Sequence, residues 1–197
     1  MALSWAVAGR PLPGEPVSGD RAVVVPTPSG WLLAAIDGLG HGPEAAEASR
    51  QAVEVLTRQP EEPIAALIRR AHEGLRGTRG VALSVASVRA RDGLMAWMGV
   101  GNVEGVLVHA PAPRRRVDYI TQRGGIVGAH LPTLHESALR VSAGDTLLLA
   151  TDGIAEGFTE TDVAEWPPQA LAEQILRMFG RSTDDALVVV AKWRDTG

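Results

Sequence analysis

The chain has 197 residues, enough for one domain with a substantial core, and its 45% hydrophobic and 21% charged content is that of a globular protein. With 23 acidic against 19 basic residues, its net charge of -4 argues against a general nucleic-acid binder, which carries a basic stripe. It has no cysteine, which excludes disulfides, thiolate metal sites and cysteine nucleophiles. Met1-Ala-Leu-Ser-Trp-Ala-Val-Ala-Gly-Arg10 lacks the basic start and long apolar run of a secretion signal. No apolar run approaches the roughly 20 residues that span a bilayer. A cytoplasmic protein that binds neither membrane nor nucleic acid is expected.

Residues 3–9 and 21–26 read as strands, joined by Pro11-Leu-Pro-Gly-Glu-Pro16 and Ser18-Gly-Asp20. A third strand, 31–36, follows the Ser29-Gly30 turn, which predicts antiparallel pairing with 21–26. Pro43 suits the first turn of a helix, and Glu44 and Glu47 suit its positive end. Ala45, Ala46, Ala48, Ala52, Val53 and Leu56 then recur at helical spacing. A second helix follows Glu61-Glu62-Pro63, with Ile64, Leu67, Ile68, Ala71 and Leu75 on one face and Gly74 and Gly77 at its end.

From Gly80 the pattern turns to strands, at 81–88, 94–100, 103–109 and 117–121. Residues 138–141 and 146–151 read as a further pair about Ala143-Gly-Asp145. A third helix is expected over 167–180 and a last strand over 186–193. These elements predict an α+β fold: a four-layer α-β-β-α sandwich of two antiparallel sheets face to face, flanked by helices, which covers both faces of each sheet. No linker or repeat divides the chain, so a single domain over 1–197 is expected.

Three apolar strands offer a carboxylate at one end. Trp31-Leu-Leu-Ala-Ala-Ile-Asp37 runs into Gly-Leu-Gly-His-Gly42, Thr146-Leu-Leu-Leu-Ala-Thr-Asp152 into Gly153, and Asp184-Asp185 precede Ala-Leu-Val-Val-Val-Ala-Lys-Trp193. Each alone reads equally as a turn residue, and Asp20 as a cap or turn. Together they point to one acidic cluster, which is costly to bury unless a cation offsets its charge. Gly38, Gly40 and Gly42 let the backbone approach a ligand closely, and hard divalent cations take carboxylates, backbone carbonyls and water. Strand alternation implies that only one of Asp184 and Asp185 points at the cluster.

In this order, Ser18-Gly-Asp20, Asp37-Gly-Leu-Gly-His-Gly42, Leu147-Leu-Leu-Ala-Thr-Asp-Gly153 and Thr183-Asp-Asp-Ala-Leu-Val-Val189 resemble the metal-dependent serine/threonine phosphatases of the PP2C (PPM) type. The Asp-Gly-x-Gly-His-Gly form resembles their bacterial sporulation and stress-response branch, and Gly99-Val-Gly-Asn-Val-Glu104 the RsbX-type stressosome phosphatases. The resemblance implies two Mn²⁺ or Mg²⁺ ions at one end of the sandwich and hydrolysis of phosphoserine or phosphothreonine by a metal-bridged water. Asp37, Asp152 and Asp184 then match catalytic metal-binding positions, with Asp37 bridging the ions. Gly38 offers its carbonyl, Asp20 acts through water, and Asp185 occupies the position after the last ligand. His41 and Asn102 are candidates to support these ligands, and His41 reads equally as a solvent-facing residue at a helix start. Nothing near the N-terminus matches the phosphate-binding arginine of eukaryotic relatives.

The implied partners are phosphorylated STAS-domain proteins of the stressosome, met by a monomeric enzyme. A phosphatase of an anti-anti-sigma factor and a catalytically silent binding module of the same fold are the alternatives. His72, His109, His130 and His135 lack metal-ligand spacing and read as surface or packing residues. Arg114-Arg115-Arg116 reads as a solvated loop, the tryptophans as core or interface residues, and Gly124, Gly125 and Gly128 as shaping a loop near the metals.

Overall fold

The computed structural model describes residues 1–110, 116–164 and 166–195. Arg114 and Arg115 lie outside these residues. Strands β1 (Ala2–Arg10), β2 (Asp20–Thr27) and β3 (Gly30–Gly38) are followed by helices α1 (Pro43–Arg58) and α2 (Ile64–Gly74). Then come β4 (Val81–Arg89), β5 (Leu94–Val100), β6 (Glu104–Val108), β7 (Val117–Tyr119), β8 (Gln122–Arg123), β9 (Ser137–Arg140) and β10 (Thr146–Ala150). A 3-10 turn at Phe158–Glu160, α3 (Pro168–Phe179) and β11 (Ala186–Arg194) complete the order.

One sheet runs β1-β11-β10-β6-β7, and the other runs β2-β3-β4-β5-β8 with β9 also paired to β5. The Ser29-Gly30 turn joins β2 to β3 antiparallel, as its residues predict. Leu33, Ala35, Ala82 and Ala86 of one sheet meet Leu147, Leu149, Leu187 and Val189 of the other in a core between the sheets, with Trp97 and Trp193. Outside, Ala48, Ala52, Leu56, Leu67 and Ile68 of α1 and α2 cover β2–β5. Leu171, Ala172 and Ile175 of α3 cover β1 and β11. The architecture is the expected α-β-β-α sandwich. Among the described residues no helix is long and apolar enough to cross a membrane.

One expectation is corrected. Residues 138–141 and 146–151 do not pair with each other. Ser137–Arg140 joins β5 antiparallel, whereas Thr146–Ala150 sits between β6 and β11 in the other sheet. The intervening turn therefore crosses between the sheets instead of closing a hairpin. Asp145, 2% exposed, organises that crossing. It accepts hydrogen bonds from the Ala110 and Ser142 amides (2.7 and 2.9 Å) and lies 3.2 Å from His109 Nδ1. His109 Nε2 in turn lies 2.7 Å from Asp118. His109, expected as a surface or packing residue, is thus held between two carboxylates.

Candidate functional site

Sheet register brings the carboxylates together. Asp20 of β2 lies directly opposite Asp37 of β3. Both continue the alternation that sends Ala22, Val24, Leu33 and Ala35 into the core between the sheets. On the facing sheet, Thr151 continues the alternation of Leu147 and Leu149, and Asp185 that of Leu187 and Val189. The inter-sheet core is apolar along its length and acidic at this end.

Hydrogen bonds fix the walls. The Thr151 hydroxyl donates to Asp20 Oδ2 (2.7 Å) and accepts from the Leu187 amide (2.9 Å). Asp185, 3% exposed, accepts the Leu12 amide on one carboxylate oxygen and the Gly19 amide on the other, each at 2.7 Å. It therefore pins the segment between β1 and β2 over the site. Asp184 is half-buried, and its Oδ1 accepts the Asp185 amide (2.8 Å). Asp152 is also half-buried and accepts from Asn102 Nδ2 (2.6 Å).

Two glycines are demanded by close approach. A Cβ on Gly38 would lie 2.2 Å from the Ala45 carbonyl oxygen, and one on Gly153 would lie 1.8 Å from that of Asp185. The Asp-Gly pairs at 37–38 and 152–153 thus let a strand end turn against a neighbouring backbone.

The electrostatics follow from this crowding. Burial, and then the charges of Asp20, Asp152, Asp184 and Asp185, push the Asp37 carboxyl up to about 8. Burial raises Asp20 to about 7, with Asp185, Asp152 and Asp184 adding to it and the Thr151 hydrogen bond opposing it. Asp152 is raised by burial and by Asp184, against the opposing effects of Arg181, the Gly153 amide and Asn102. Oxygen donors whose charges repel one another suit a hard divalent cation. Among the described residues no three acidic or imidazole side chains close around a single point.

The structure places Asp20, Asp37, Asp152, Asp184 and Asp185 within electrostatic reach of one another and ties Asn102 to Asp152. His41 stands apart. It is exposed, and its Nδ1 lies 2.6 Å from Glu15 and hydrogen-bonds none of these aspartates. The Arg123 carbonyl, just before Gly124, accepts the Gly101 amide (2.8 Å), whereas Gly128 packs against Leu75 and Gly80. Of the other histidines, His72 Nδ1 accepts the Gly128 amide (3.0 Å), and His130 and His135 are exposed. Thr151 was missed as a site residue. Its signal is a hydroxyl inside an otherwise apolar strand, one position before an aspartate.

The family model described as Stage II sporulation protein E (SpoIIE) matches residues 27–194. No curated protein matches the chain. Among solved structures, one reported for the bacterial stressosome, as a modular system adapted to control secondary messenger signaling, is 29% identical with a TM-score of 0.89. That match covers 98% of this chain and 100% of the other. RsbX in complex with magnesium is 19% identical at a TM-score of 0.85, covering 96% of this chain and 94% of its own. The PP2C phosphatase domain of SpoIIE from Bacillus subtilis, solved with a fragment of its regulatory domain, is 21% identical at a TM-score of 0.80, covering 100% of this chain and 64% of its own.

Proposed function

The chain belongs to the SpoIIE family of PP2C-type bacterial phosphatases, and we propose that it is a divalent-metal-dependent phosphatase acting on phosphoserine or phosphothreonine of a regulatory protein. The observation that carries this reading is the convergence of five aspartates at one end of the inter-sheet core, where Asp37 is pushed up to about 8. In this reading Asp37, the Gly38 carbonyl, Asp152 and Asp184 would hold divalent ions, Mn²⁺ or Mg²⁺, with Asp20 supporting them. Both oxygens of Asp185 already accept backbone amides. With Asp185 anchoring the segment over the site, this reading takes Asp184 as the ligand of the pair. Bound ions would acidify a water for attack on phosphorus and screen the phosphate charge. The chain's own residues hold the geometry: Thr151 fixes Asp20, and Asn102 fixes Asp152.

The proposed substrate is a phosphorylated STAS-domain component of a stressosome, as for an RsbX-type enzyme. The likeness to RsbX and to a stressosome-related structure supports this choice. The test is hydrolysis of such a phosphoprotein with Mn²⁺, with Mg²⁺ and with chelator, by the wild type and by Asp37→Asn. Turnover is expected only with metal, and Asp37→Asn is expected at background with weakened metal binding. Metal-dependent turnover retained in that variant would overturn the assignment.

A further inference from the structure

A phosphomonoester carries a charge near -2 at neutral pH, and it must approach an end of the fold that holds five aspartates. Even with two divalent cations in place, one carboxylate charge remains uncompensated. A side-chain cation at the mouth would offset it, so the positive groups around the site can be compared one by one.

Most are committed elsewhere. Arg79 is paired with Glu44, and His41 with Glu15. Arg21 lies opposite Ile36, whose side chain belongs to the cluster under α1 and α2, so it faces away from the carboxylates. The Arg10 guanidinium donates to the Arg181 carbonyl (2.7 Å). Arg181 differs. Its amide donates to the carbonyl of Gly153 (2.7 Å), the residue next to Asp152, so its backbone is held on both sides at the edge of the site. The residue is exposed, and among the described residues its guanidinium makes no ion pair or hydrogen bond. Its charge nevertheless reaches Asp152, whose ionised form it favours.

We propose that Arg181 is the side chain that binds the phosphate oxygens of the substrate, at the Asp152 side of the site. This inference rests on the phosphatase reading above. A guanidinium presents a planar fork of N–H donors that matches two phosphate oxygens at once. Arg181 has no competing carboxylate to leave among the described residues, and its fixed backbone limits the search of its long side chain. Arg10 positions it from behind.

Inorganic phosphate titrated calorimetrically into the Mg²⁺-loaded protein tests the assignment without requiring turnover. Arg181→Gln is expected to weaken phosphate binding about tenfold, the loss of one bidentate charge-assisted contact. Arg181→Lys, which keeps the charge but not the fork, should fall between. Arg58→Gln removes an exposed cation at the far end of α1 and should change phosphate affinity less than about twofold, as an exposed charge at a distance does. Mg²⁺ affinity should stay within about twofold in Arg181→Gln, since the variant removes no ligand oxygen. Unchanged phosphate affinity in Arg181→Gln, equal losses in Arg181→Gln and Arg58→Gln, or no phosphate binding by the wild type would each overturn the proposal. Arg181-dependent phosphate binding without hydrolysis of any phosphoester would instead remove the phosphatase reading and leave this site standing.

Discussion

Thr151 and Asp20 stand 131 positions apart in the chain and are joined by a 2.7 Å hydrogen bond across the two sheets. The same hydroxyl accepts the Leu187 amide. One buried side chain thus sets the spacing of three strands where the carboxylates gather. Thr151→Val keeps the shape but strands both partners, and a buried group left unsatisfied costs about 1–3 kcal/mol. Chemical denaturation should show that loss, with weaker metal binding measured by titration. Thr151→Ser, which keeps the hydroxyl, should recover most of both.

The metal-free protein should lose stability as pH rises. Asp20 and Asp37 have folded-state values of about 7 and about 8 against an ordinary 3.8, so the folded chain holds these protons more tightly than the unfolded one. Their contribution is fully present below 3.8 and is lost as pH climbs through about 7 to 8. Thermal unfolding in chelator should therefore give a higher midpoint at pH 6 than at pH 8.5. Added Mn²⁺ should raise the midpoint more at pH 8.5, where no proton must be displaced. A metal-free midpoint that rises across this interval would contradict the coupling.

Asp37→Asn should separate binding from stability. Removing the charge relieves repulsion from four neighbouring aspartates. The metal-free variant should unfold at a higher temperature than wild type at pH 8.5, while its stabilisation by Mn²⁺ is largely lost. Calorimetric scans with and without metal check both halves.

Asp184→Asn and Asp185→Asn should diverge although the residues are adjacent. Asp185→Asn offers one acceptor oxygen where two backbone amides are now satisfied, so it should cost about 1–3 kcal/mol in denaturant unfolding. It should also expose the segment at 11–19 to limited proteolysis. Asp184→Asn should leave the unfolding midpoint in chelator nearly unchanged and weaken metal binding instead. The reverse pattern would exchange the roles of the two residues.

Gly153→Ala should be poorly tolerated. Its Cβ would stand 1.8 Å from the Asp185 carbonyl oxygen, a backbone atom that cannot move without shifting the start of β11. Overpacking of this kind costs about 1–3 kcal/mol and sometimes more. Gly124→Ala meets nothing within 4 Å and should be nearly neutral in the same unfolding assay.

Much of this arrangement is legible in the linear chain because it is local. The apolar run ending in Asp37, the glycines after it and the proline opening α1 specify a strand, a turn and a helix from neighbours a few positions apart. The same holds for the strands ending at Asp152 and beginning after Asp185. What misleads is pairing. Residues 138–141 and 146–151 are joined by four residues with good turn chemistry, yet they enter different sheets. Turn residues favour a change of direction without specifying which strand waits beyond it. The two-residue β8, paired parallel to β5, is too short and too exposed to leave any periodic trace.

The Asp37 turn and the acidic strand ends were determined by the sequence itself, since alternation places a carboxylate on a known face and an Asp-Gly step ends a strand. The tertiary structure alone decided the division of labour among them. Asp185 becomes an anchor because the amides of Leu12 and Gly19 lie within reach, 173 and 166 positions away. Asp20 acquires Thr151, and Arg181 is held at the edge of the site because its backbone is caught between Gly153 and Arg10. Hydrogen-bond partners and charge neighbours are properties of distance in space, and packing two sheets face to face makes neighbours of residues that no local pattern relates.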